Sequence, residues 1–131
     1  MMETIEDGGT VLAYLIRGGT HPSRTTFVTP DDCNLQVGYV VYSAGSEIPR
    51  HIHLPIERHL VGTNEVLLLQ RGRCEVDIYT ADRRLVATRP MEVGDLLVTV
   101  HGGHGFRVFE DTVLLEVKQG PYPGGSEKER F

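Results

Sequence analysis

"RCEVDIYT", residues 73–80, decides the fold class by its alternation. Cys74, Val76 and Ile78 fall on one side of an extended chain, and Glu75, Asp77 and Tyr79 fall on the other. That two-residue period is the mark of a strand with one buried face. "ADRR" (81–84) then supplies a turn, and "LVATRPM" (85–91) continues as a strand that Pro90 ends. Upstream, "LQVGYVVYSAG" (35–45) reads as one strand and "NEVLLLQRG" (64–72) as another with an unusually apolar middle. Downstream, "GDLLVTVH" (94–101) and "RVFEDTVLLEVKQG" (107–120) complete the set, the second bent at Glu110-Asp111. "TVLAYLIRGG" (10–19) fits either a short helix or an edge strand.

Fifteen glycines and seven prolines punctuate the 131 residues at the rhythm of short strands and turns. No stretch shows the clean 3.6-residue apolar period of a capped helix. The length suits one domain with a core of its own. Many short strands in one small domain mean a sandwich, jelly roll or barrel. The expectation is an all-β fold.

Charge narrows the partners. Lys plus Arg is 13 against Asp plus Glu at 18, a net charge of -5. Nucleic acid and anionic membranes demand a basic footprint, so neither is expected as the partner. "MMETIEDGGT" lacks the pattern of a secretory signal, and no apolar run approaches the ~18 residues of a membrane span. Cys33 and Cys74 belong to no CxxC pair and make no disulfide framework. Two reduced thiols in a cytoplasmic protein are the reading.

"PRHIHLPIERH" (49–59) concentrates three of the six histidines. On a strand, an H-x-H pair puts both imidazoles on one surface, so His51 and His53 suit two ligands of one metal ion. The same spacing would also occur in two solvated loop histidines. Glu65 opens an apolar strand, where a carboxylate needs a partner or a site. His104 lies in "VHGGHGF", where Gly102, Gly103 and Gly105 leave room beside the ring. Continued alternation would align Val98, Val100, Gly102, His104 and Phe106 on one face, with His101 on the other. Three neutral imidazoles and a carboxylate make a mononuclear set for iron, manganese, nickel or zinc.

These residues carry a family resemblance. "GSEIPRHIH" resembles the first half of the cupin signature through Gly45, His51 and His53, and "EVLLLQRG" resembles its second half through Glu65 and Gly72. "GDLLVTVHGGHGF" is similar to the second cupin motif, with Gly94 opening a strand and His104 as the last ligand. Two departures stand out. The glutamate comes twelve residues after His53 rather than three or four, which makes "LPIERHLVGTN" an insertion. Glu57 fits the shorter spacing, but position 64, where the glycine should follow, is Asn. In the second motif, Val100 stands where the family has proline, and His104 comes one residue early.

The resemblance implies a double-stranded β-helix, the cupin jelly-roll barrel, with a divalent metal inside one mouth. Residues 1–131 would form a single cupin domain: N-terminal strands or arm 1–34, barrel core 35–118 and tail 119–131. His51, His53, Glu65 and His104 would hold the metal, iron(II) first among the candidates. The family includes dioxygenases, isomerases, epimerases, decarboxylases and plain binding proteins, so fold alone does not choose. The expectation is an enzyme that oxygenates or isomerises a small polar metabolite, a sugar derivative or oxo acid. The alternative is a non-catalytic module that binds a metal or small ligand. Glu57 or His59 would be the acid/base group. Arg50 and Arg58 could anchor a carboxylate or phosphate, and Tyr39 and Phe106 could line the barrel. The tail "KQGPY…RF" resembles that of a set of small single-domain cupins, and the family implies a homodimer.

Overall fold

The computed structural model describes residues 2–131. Two compact units emerge, Met1–Thr20 with Thr63–Phe131, and His21–Gly62. The chain is all-β, with strands paired antiparallel and no α-helix among the described residues. No closed barrel is found.

The first unit holds two sheets. β1 (Met2–Asp7), β2 (Thr10–Ile16), β5 (Glu65–Arg71), β8 (Leu96–Thr99) and β10 (Val113–Lys118) form one, in the order β1-β2-β8-β5-β10. β6 (Cys74–Tyr79), β7 (Leu85–Met91) and β9 (Gly103–Val108) form the other, in the order β7-β6-β9. One apolar cluster joins them: Ile5, Leu15, Leu67, Leu69 and Leu97 from the first sheet, and Cys74, Val76, Ile78 and Met91 from the second. Each such Leu or Ile contributes about 1.5–3 kcal/mol by burial. A bulge opposite Ile5 and Glu6 lets Leu12 and Ala13, sequence neighbours, both reach the core.

β6 is as the alternation predicts, since Cys74, Val76 and Ile78 are all in the core. Asp77 is also buried, because Arg107 and Thr88 bond to its carboxylate on the sheet's other face. The remaining expectations need correction. β2 is an interior strand, covered on its outer edge by β1, which the acidic run "METIED" hid. Pro90 does not end β7; it lies inside it, opposite Glu75. The edge position explains this, because a proline that donates nothing can face an unpaired edge.

Residues 35–45 yield only the two-residue β4 (Gly38–Tyr39). Residues 107–120 are two strands in different sheets, broken at 109–112, and not one bent strand. Likewise Val98 and His104 do not share a face. β8 ends at Thr99, and the chain turns at Gly102 (φ 73) before β9 enters the other sheet. A Cβ on Gly102 would stand 2.1 Å from the Tyr79 carbonyl oxygen, so glycine is required there.

In the second unit, β3 (Thr26–Phe27) pairs with β4, and the Phe27 ring lies where a Cβ of Gly38 would be, at 2.6 Å. Val28 N donates to Val37 O at 2.7 Å, and the buried Thr29 hydroxyl accepts from Val37 N at 2.9 Å. From 47 to 60 the chain has no regular secondary structure and every residue is exposed.

Candidate functional site

In the first unit, β5, β8 and β10 begin or end together, and their polar termini form a buried knot. Asn64 Nδ2 donates to the carbonyls of Thr99 and Val100, both at 2.9 Å, which ties the start of β5 to the end of β8. Asn64 N donates to Gln119 Oε1 at 2.6 Å, and Glu65 N donates to the Thr99 hydroxyl at 3.0 Å. The Glu65 backbone is therefore fixed on both sides. Its side chain faces inward, in register with Thr99 of β8 and Lys118 of β10.

His104 reaches the same place from the other sheet. It pairs with Ile78 across the β6–β9 ladder, so it points to the core side, and its ring lies 5.9 Å from that of Phe106. His104 Nε2 stands 3.0 Å from Glu65 Oε2. Yet Glu65 Oε2 is a buried atom with no hydrogen-bond partner. A hydrogen bond needs alignment as well as distance. The adjacent His104 ring is the largest influence on Glu65 and lowers the carboxyl's pKa; burial opposes it, and Glu116 and the Lys118 charge assist.

Two residues absent from the sequence expectation join this cluster. Glu116 and Lys118 of β10 lie opposite Leu67 and Glu65, hence on the same side of the sheet, with Lys118 half-buried and Glu116 exposed. Burial and the neighbouring Glu65 carboxylate push the Glu116 pKa up. Two carboxyls driven in opposite directions are the pattern of an acid and a base side by side. The Lys118 ammonium is raised by its bond to Glu127, and it lies 4.4 Å from the centre of the Tyr122 ring. The available signal was the period of "VLLEVK": Leu114, Glu116 and Lys118 share one face, opposite Leu115 and Val117.

A second orphan marks the same knot. Among the described residues, two buried side-chain polar atoms lack a partner, Glu65 Oε2 and Gln119 Nε2. Native interiors seldom leave such groups unmatched, and an acceptor and a donor left open in one knot suit a bound ligand.

Of the other expected residues, all but Phe106 lie in the second unit. His51 and His53 sit edge to face, with ring centroids 5.2 Å apart. His51 Nδ1 is 2.9 Å from the Pro49 carbonyl, which can only accept, so Nδ1 donates there and Nε2 is the nitrogen left to face a ligand. No ladder holds them, so the H-x-H pair is not on a strand. Arg50, Glu57, Arg58 and His59 are exposed, and Tyr39 is half-buried. Phe106, half-buried, packs against the core cluster of the first unit. His101 and His21 are exposed.

Does this donor set fit a metal ion? The 3.0 Å between His104 Nε2 and Glu65 Oε2 is about the edge of an octahedron whose bonds are about 2.1 Å. The orphaned Oε2 and the free Nε2 of His51 are donors of the required kind. Among the described residues, no three His, Cys, Asp or Glu side chains are gathered into a ready cluster. The structure thus provides two pairs, Glu65 with His104 and His51 with His53, each within its own unit.

Comparison of the chain with protein-family models, with curated proteins and with solved structures finds no match. No helix among the described residues is long and apolar enough to cross a membrane.

Proposed function

We propose that this is a mononuclear metal-dependent enzyme of cupin type, whose divalent ion is held by Glu65 and His104 of the first unit. Its substrate is a small polar metabolite, a sugar derivative or oxo acid, which it oxygenates or isomerises. The observation that carries the reading is the buried Glu65 carboxylate, with one oxygen unpartnered and His104 at 3.0 Å. Burying the Glu65 carboxylate is costly, and an ion shared by the two side chains would offset that cost.

When bound, iron(II), manganese, nickel or zinc supplies Lewis acidity and an open position for substrate. The chain's own groups do the rest. Glu116, opposite Leu67 on the same face as Glu65, holds or releases a proton beside the substrate. Glu57 and His59 offer a second acid/base pair, and Arg50 and Arg58 can grip an anionic group. Phe106 keeps the His104 ring in place from the apolar side.

Turnover tests the reading directly. Protein supplied with iron(II) or manganese should transform at least one member of a panel of sugars and oxo acids. A thermal shift with ligand but no turnover would support a binding module instead.

The protein acts as a homodimer in this reading. β10 is an unpaired edge strand, and its outward residues Val113, Leu115 and Val117 are 47%, 49% and 55% exposed. Native edges are usually blunted by charge or proline. This outward row has neither. Antiparallel pairing about Leu115 sets Val113 of one copy against Val117 of the other, an isologous contact with no charge in the row.

A further inference from the structure

The strongest unexplained contact in the first unit is the ion pair between Lys118 and Glu127. Lys118 is on the inner face of β10, and Glu127 is in a single 3-10 turn, Gly124–Glu127, outside the sheets. Both side chains are largely buried, 16% and 11% exposed. A buried ion pair is a poor device for fastening a segment, because desolvating two charges offsets most of their attraction. The rest of the segment's attachment is superficial. Arg83 meets Glu129 at 3.0 Å with both exposed, and Phe131, itself 60% exposed, rests edge-on against Tyr79 at 5.1 Å. Apart from the Glu127 carboxylate the turn buries nothing, and it has no side-chain cap.

The position of Lys118 gives the contact another meaning. Lys118 is directly opposite Glu65 in the β5–β10 ladder, on the side of the sheet that Glu65 turns toward His104. Gln119, next along the chain, carries the unpartnered buried donor Nε2. A ligand engaging Glu65 and His104 would therefore find one cation and one open donor at the end of β10. Glu127 now occupies that cation. Gly124, at φ 80, and Gly125 both have open space where a side chain would be, so neither is packed against the rest of the fold.

We infer that Lys118 is the subsite for a carboxylate of the ligand, and that Glu127 fills it as a built-in stand-in when the ligand is absent. This rests on the reading of the Glu65–His104 end as the functional site, and it narrows the substrate class to small organic acids. The exchange replaces one carboxylate by another, so Lys118 stays paired throughout. A neutral ligand displacing Glu127 would strand a charge, so neutral compounds are disfavoured. Segment 125–131 is then the gate that the acid opens.

The test compares full-length wild type with Glu127→Gln, Lys118→Met and Lys118→Arg. Pyruvate and 2-oxoglutarate are titrated by calorimetry beside pyruvamide and a neutral monosaccharide. Removing the internal competitor should tighten acid binding by about tenfold, the factor a gate closed nine-tenths of the time imposes. Lys118→Met should lose acid binding and Lys118→Arg should restore part of it, while the neutral compounds ignore Glu127→Gln. The inference is overturned if Glu127→Gln binds neither acid, binds them no better than wild type, or gains equally for pyruvamide. Should Lys118→Met fail to fold, Glu127→Gln and Lys118→Arg decide alone. Metal content measured on the same samples separates the two ideas. Metal bound with no response to Glu127 sinks the gate only, and an acid response without metal sinks the metal reading only.

Discussion

Glu65 Oε2 and His104 Nε2 face each other at 3.0 Å although they come from different sheets of the first unit. The contact exists because β5 and β9 both direct side chains toward the shared core at the same end. It turns two residues remote in sequence into one potential ligand pair. It also surrounds them with Glu116 and Lys118, which compete for the same protons and charges.

Asp77 should make the fold acid-labile. Burial pushes its pKa up, but hydrogen bonds from Arg107 and Thr88 outweigh it, so the net shift is downward. A folded pKa below the unfolded one stabilises above the unfolded value, about 3.9, and that stability is lost as pH falls through the folded value. Asp77→Asn should lower neutral-pH stability by about 1–3 kcal/mol and flatten the loss between pH 5 and 2. Urea melts of both proteins across that range check this; a parallel acid profile in the variant would refute it.

Gly102 holds the turn from β8 into β9. Its φ of 73 disfavours any other residue, and a Cβ would collide with the Tyr79 carbonyl at 2.1 Å. Gly102→Ala should cost about 1–3 kcal/mol for the backbone alone and shift His104 with it. Thermal melting reads the first effect and metal affinity the second. An unchanged melting temperature would mean that the turn is not as described.

Leu115 probes the proposed dimer. Leu115→Lys places a charge on the outward row of β10, where Leu115 is 49% exposed. The variant should be monomeric by light scattering at concentrations where wild type is dimeric, with monomer stability changed by no more than about 0.5 kcal/mol. A monomeric wild type, or a variant that still dimerises, removes this edge as the interface.

Much of the fold was legible where one rule acted alone. β6 obeyed simple alternation, and its apolar set is the core. β1 was missed because "METIED" looks like a charged terminus, although Ile5 is buried and the strand needs only one inward anchor. β10 is the instructive case. Period-2 reading would turn Val113, Leu115 and Val117 inward and leave Glu116 and Lys118 in water. The register turns Leu114 and Lys118 inward instead, because Leu114 packs on the core and Lys118 shares its face, while Glu116 between them stays exposed. A sequence pattern fixes which residues share a side; it does not say which side is inside. Of the expected ligands, the Glu65–His104 pair was foreseeable from the buried carboxylate, while the loop around His51 and His53 has no ladder from which to read geometry.

Elemental analysis of tag-free, full-length protein tests the central claim most directly, run on wild type beside Glu65→Gln and His104→Ala. We expect about one divalent ion per chain in wild type and its loss from each variant, with folded-state circular dichroism retained. Metal-free wild type after growth and dialysis with each candidate ion, or stoichiometric metal in Glu65→Gln and His104→Ala, would contradict it.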